Sequence, residues 1–87
     1  METQQYFVYV LRNPQGRLYI GFTTDLQRRL QQHQNGETGW TKRYRPWELV
    51  YHEVYSNRSE AIKRERSLKQ GKRNQELRQF LKPTLEW

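Results

Sequence analysis

From Tyr6 to Leu11 every position is apolar or aromatic, so both faces of the segment suit burial, as in a strand covered on two sides. Asn13-Pro14-Gln15-Gly16 then reverses the chain, with proline pre-setting φ and glycine free to adopt a positive one. A second strand follows from about Arg17 to Phe22, and the pair reads as an antiparallel hairpin. Thr24 with Gln27 fits a capping box, and Asp25 suits the positive end of the helix it would open. On a helical wheel Leu26, Leu30 and His33 fall within about 60° of one another, with Arg29 at the margin of the stripe. Asn35-Gly36 ends that helix. Gly36 to Pro46 (GETGWTKRYRP) shows neither period and reads as a polar loop.

Trp47 to Tyr55 is rich in β-formers and supplies a third strand. Asn57 with Glu60 opens a helix reaching about Gln70, Gly71 breaks it, and a short basic helix from Lys72 to Leu81 stops before Pro83. The expected order is β-β-α-β-α-α. That implies an α+β (layered α/β) fold, a small mixed or antiparallel three-stranded sheet flanked by helices. Residues 1–87 read as one domain with its core at about 6–82.

Charge sharpens this picture. Sixteen Lys and Arg stand against nine Asp and Glu, a net charge of +7. Such a balance attracts polyanions, nucleic acid first and acidic membranes second. The absence of cysteine excludes disulfides and thiolate metal sites. No apolar run approaches the roughly 20 residues that span a bilayer, and the first residues lack the pattern of a signal peptide. A soluble cytoplasmic protein without a membrane partner is the expectation.

Candidate chemistry gathers at five positions. Glu65 falls among Ala61, Ile62 and Leu68 on its helix, where a carboxylate must be paired, protonated or bound to a cation. A salt bridge to one of the arginines would satisfy it as well as a metal would. Arg29 and His33, four residues apart, line one flank of the first helix, and a guanidinium fork suits a phosphate. Tyr9 and Tyr19 offer hydroxyls to position or deprotonate a water, although strand tyrosines ordinarily just pack. Arg58 to Lys82 holds nine of the sixteen basic residues; Arg64, Lys69, Lys72 and Arg73 are suited to a phosphate backbone. Lys42, Arg43 and Arg45, interleaved with Trp40 and Tyr44, suit unpaired or distorted bases. Glycine-rich phosphate loops, HExxH and Cys/His clusters are missing.

Phe7–Tyr9 (FVY), Tyr19–Gly21 (YIG), Arg29, His33 and a helical Glu65 resemble the GIY-YIG nuclease superfamily, in particular its small stand-alone bacterial members. The resemblance extends through Tyr19–Gly36, the basic loop Lys42–Arg45, Pro46–Tyr51 and Ala61–Lys69, about residues 6 to 82. The first motif departs from Gly-Ile-Tyr but keeps its tyrosine, and Phe22 stands where some relatives have lysine. The resemblance implies hydrolysis of phosphodiester bonds with one divalent cation. By it, Glu65 would bind Mg²⁺ or Mn²⁺ and Arg29 would stabilise the pentacovalent phosphate. Tyr9 and Tyr19 would manage the water, His33 would assist proton transfer, and Gly21 would let the backbone pass close to the site. The leading expectation is an endonuclease acting on DNA, favoured over RNA, in repair or recombination. A non-catalytic nucleic-acid-binding module and an adaptor docking on a protein partner through Trp40, Trp47 and Trp87 are the alternatives.

Overall fold

The apolar run becomes β1 (Tyr6–Arg12), the middle strand of a three-stranded sheet. In a computed structural model that describes residues 4–70, the Trp40 side chain excepted, it is flanked by β2 (Leu18–Thr23) and β3 (Glu48–Tyr55), both antiparallel to it. The helices are α1 (Leu26–Gln34), α2 (Gly39–Arg43) and α3 (Arg58–Lys69). The fold is α+β, as expected.

Strand alternation divides the core in two. Val8, Val10 and Ile20 face Ala61 and Leu68 of α3. Tyr9 and Leu11 point the other way, packing with Trp47, Leu26, Leu30 and Tyr19. Val8 to Leu11 are all buried, which is why this strand had to be apolar on both faces. The β1–β3 register slips between Val10 and Leu11, leaving Val50 as an extra residue in β3.

The hairpin turn is built by Asn13, itself buried. Its Oδ1 accepts from the backbone N–H groups of Gln15 (3.1 Å) and Arg17 (2.8 Å), and Gly16 takes a φ of +85°. Its Nδ2 donates to the Tyr44 carbonyl at 3.2 Å, tying the hairpin to the segment before β3. Asn57 caps α3 as expected, accepting from the N–H groups of Ser59 and Glu60.

Two expectations are corrected. The N-cap of α1 is Asp25 rather than Thr24: Asp25 is extended and its Oδ1 accepts from the Arg28 N–H at 3.1 Å. The Thr23 hydroxyl accepts from the Asp25 N–H at 3.1 Å, which turns the chain out of β2 one residue later than a capping box at Thr24 requires. The second correction is the element order, β-β-α-α-β-α, because Gly39–Arg43 is helical rather than part of a polar loop. Two glycines and no apolar period hid this short helix. Tertiary bonds hold it, among them Trp47 Nε1–H to the Thr41 carbonyl at 2.8 Å. The expected helix from Lys72 to Leu81 lies outside the described residues.

Candidate active site

Tyr9 rises from the middle of β1 directly opposite Gly21 of β2. A Cβ on Gly21 would stand 2.6 Å from the Tyr9 hydroxyl and 3.1 Å from the Tyr19 ring. The glycine therefore provides the space the Tyr9 phenol fills, a more specific role than the close backbone approach expected of it.

That phenol meets α1. Its oxygen lies 2.9 Å from His33 Nε2 and accepts from Arg29 Nε–H at 3.4 Å. Arg29 and His33 share a flank of α1, so their i, i+4 spacing delivers both to one hydroxyl. Tyr19 stacks at a tilt on His33, with ring centroids 4.8 Å apart, and its ring is 6.2 Å from that of Tyr9. On its far side, His33 Nδ1 lies 2.8 Å from Thr41 Oγ1 and 2.9 Å from Thr38 Oγ1. His33 is fully buried and Thr41 nearly so.

Electrostatics follow from this enclosure. Burial pushes the Tyr9 hydroxyl up to about 12; the Arg29 hydrogen bond opposes it, while Tyr19 and Glu65 add to it. Burial and then the Arg29 charge pull His33 down to about 4, so its ring is neutral at physiological pH. The bond to Tyr9 raises Arg29 above its ordinary value, against the effect of burial, with Tyr19 contributing. The resting site is a neutral tyrosine and a neutral histidine beside a fixed positive charge.

Glu65 is mostly buried, its side chain 17% exposed, and pairs with Lys69 at 3.1 Å. A salt bridge was one of the two expectations for this position, and lysine rather than arginine supplies it. No group of three His, Cys, Asp or Glu side chains among the described residues is placed to hold a metal.

The cations divide into three sets. Arg64 is engaged: its guanidinium donates to both Glu53 oxygens at 2.9 and 3.0 Å, and Tyr51 and Tyr55 donate to the same carboxylate. Lys42, Arg43 and Arg45 are exposed at and after the end of α2, where Arg45 also donates to the carbonyls of Lys42 and Gln34. Lys72 and Arg73 lie outside the described residues, as does Trp87. Trp47 is buried against Tyr9 and Leu11, so it serves the core rather than a docking surface.

Sequence reasoning missed Thr38 and Thr41, the hydroxyls behind His33, because that segment read as a loop. It also missed Arg28 and Arg58, which line an open groove with Arg29, Phe22, Thr23 and Asp25. The Arg58 guanidinium lies 5.8 Å above the Phe22 ring. The clue for Arg58 was its place on the first turn of a basic helix; nothing local marked the threonines.

Residues 5–78 match the family profile of the GIY-YIG catalytic domain. A UPF0213 protein of Staphylococcus epidermidis is 43% identical over 75 residues, 85% of this chain and 92% of its own length. A Staphylococcus aureus UPF0213 protein is 40% identical, covering 84% of this chain and 90% of its own. The solution NMR structure of a UPF0213 protein from Bacillus halodurans superposes with a TM-score of 0.54 at 29% identity, over 84% of this chain and 81% of that one. With its three-stranded sheet and its Tyr9, Tyr19 and Gly21 in place, the chain belongs to the GIY-YIG family, as a small protein homologous to the bacterial UPF0213 proteins.

Proposed function

We propose that this protein is a divalent-metal-dependent endonuclease that hydrolyses phosphodiester bonds in DNA, acting on structured, nicked or damaged duplexes in repair or recombination. The observation that carries the reading is the Tyr9 hydroxyl, bonded to both Arg29 and a buried neutral His33. A phosphate against Arg29, in the groove that also holds Arg28 and Arg58, would find a charge clamp and a hydroxyl side by side.

In the reaction, a water's proton moves to the Tyr9 oxygen as the Tyr9 proton passes to His33 Nε2. The hydroxide oxygen bonds to phosphorus, the opposite P–O ester bond breaks, the departing oxygen takes its proton from solvent, and His33 afterwards releases its own to solvent. Arg29 balances the negative charge that builds on the phosphate. With Tyr9 held above and His33 below their ordinary values, the relay runs uphill and belongs to the transition state, not to the resting site. A phosphate that neutralises Arg29 also lifts part of the penalty on His33.

Glu65, a hard carboxylate oxygen with no group of three acidic or histidine ligands around it among the described residues, would hold a cation of the Mg²⁺ or Mn²⁺ kind. A divalent cation held by Glu65 would supply Lewis-acid stabilisation of the phosphate.

The test is incubation with supercoiled plasmid and a labelled branched duplex, in Mg²⁺, Mn²⁺ or chelator. Cutting is expected only with metal, lost in Glu65→Ala and slowed by about 10²–10³ in Arg29→Ala. Glu65→Ala cutting at the parent rate would refute the site. The Glu65–Lys69 pair favours one second reading, a module that binds nucleic acid without cutting it. That module shows salt-sensitive binding and no product with either metal.

A further inference from the structure

We infer that Thr38 and Thr41 form a tautomer lock, holding the proton of His33 on Nδ1 so that Nε2 presents a lone pair to Tyr9. Both are positioning residues acting through His33, and the consequence for catalysis rests on the endonuclease reading.

Three polar atoms meet behind the ring. His33 Nδ1 is 2.8 Å from Thr41 Oγ1 and 2.9 Å from Thr38 Oγ1, and the two hydroxyls touch each other. The Thr38 carbonyl, 3.3 Å from Thr41 Oγ1, sets the direction because a carbonyl only accepts. Thr41 donates to it, Thr38 donates to Thr41, and both hydroxyl oxygens are left to receive Nδ1–H. In the opposite tautomer Thr38 would donate to Nδ1 and Thr41 to the carbonyl, leaving the Nδ1–Thr41 contact and the contact between the two hydroxyls with no proton between the atoms. The Thr41 backbone is anchored behind the ring, its carbonyl accepting from Trp47 Nε1–H at 2.8 Å.

The lock propagates to the reacting side. With Nε2 unprotonated, the Tyr9 O–H must point inward to His33, while Arg29 Nε–H occupies one side of the phenol oxygen. That leaves the phenol oxygen one acceptor position, the one a water's proton would need. Were the proton on Nε2, Tyr9 would receive two donors and its own hydrogen would point at the water, the wrong polarity for a base. The short helix α2 thus orients the phenol from two residues away.

The test reads the tautomer directly, without substrate. Long-range ¹H–¹⁵N correlation spectra of the full ¹⁵N-labelled chain at pH 7 distinguish protonated from unprotonated ring nitrogens, and His52→Gln assigns the second histidine. The expected result is protonated Nδ1 and bare Nε2 in the parent and in Thr41→Ser. Thr38→Val and Thr41→Val should each shift the tautomer ratio toward Nε2–H by about tenfold. A parent found as Nε2–H, or valine variants with unchanged spectra, would overturn the lock. The parent spectrum alone decides should the variants not fold. On a cleavable duplex, Thr41→Val is expected to lower kcat about tenfold at unchanged KM, with Thr41→Ser restoring it. A parent that shows the lock but never cuts refutes the endonuclease and leaves the lock standing. A parent that cuts with the proton on Nε2 does the reverse.

Discussion

Replacing Gly21 by alanine tests the site's architecture with one added methyl group. The new Cβ would stand 2.6 Å from the Tyr9 oxygen and 2.8 Å from Tyr9 Cζ. To regain an ordinary contact of 3.4 Å the hydroxyl must withdraw by about 0.8 Å. A tyrosine tip on the surface would swing aside, but this one is 1% exposed and packed against Tyr19 and His33. A shift of that size lengthens the 2.9 Å bond to His33 and the 3.4 Å bond from Arg29 beyond useful range. Overpacking costs about 1–3 kcal/mol, and two weakened buried hydrogen bonds add roughly 1–2 more. The expected loss is therefore about 2–5 kcal/mol, read as a lower urea midpoint at constant slope. Tyr9→Phe removes the closest atom, so the double variant should recover about 1 kcal/mol of the Gly21→Ala penalty, a coupling a double-mutant cycle isolates. Unchanged stability in Gly21→Ala, or strictly additive single effects, would refute the reasoning.

Two further outcomes follow from groups already placed. His33 is neutral in the fold down to about 4 but protonates near 6.5 when unfolded, so between those values the unfolded chain holds the extra proton. Stability should fall by about 3 kcal/mol as pH drops from 6.5 to 4, and denaturation midpoints in His33→Gln should show that slope removed. Burial opposes the Glu53 charge, yet bonds from Arg64, Tyr51 and Tyr55 hold its carboxyl below the ordinary 4.5, so its own acid sensitivity begins only beneath that value. Arg64→Met should cost about 1–2 kcal/mol, discounted for the partial exposure of the pair, and Glu53→Gln in that background should return part of it. Thermal unfolding that does not distinguish Arg64→Met from the parent would show that the pair contributes nothing.

What could be read from the chain was what repeats along it. The continuous apolar run of β1 disclosed a central strand, and Asn57 with Glu60 disclosed the start of α3, because both signals are local. Arg29 and His33 were legible as a pair for the same reason. That they could converge with the strand tyrosines was legible too; that both would bond the single Tyr9 hydroxyl was not, since it depends on α1 packing across the sheet face that carries Tyr9. Thr38 and Thr41 were invisible: a helix of five residues has no period to detect, and its stability comes from Trp47 and His33. The reading of Arg64 as a phosphate contact also failed to foresee its partner. Glu53 lies eleven residues earlier on another element, and only the fold brings the two together.

The segment between α1 and β3 is fastened by bonds addressed to the main chain. The Gln34 side-chain amide exchanges both of its hydrogen bonds with the Trp47 backbone, as one peptide unit does with another. Trp47 reaches the Thr41 carbonyl, and Asn13 reaches that of Tyr44. None of these fastenings reads the side chain of Lys42 or Arg43. At Lys42 and Arg43, though not at Arg45, which donates to two carbonyls, architecture and charge are consequently written in separate alphabets. A lineage can exchange the cations it shows to a polyanion, altering reach or preference, while the shelf behind His33 keeps its shape.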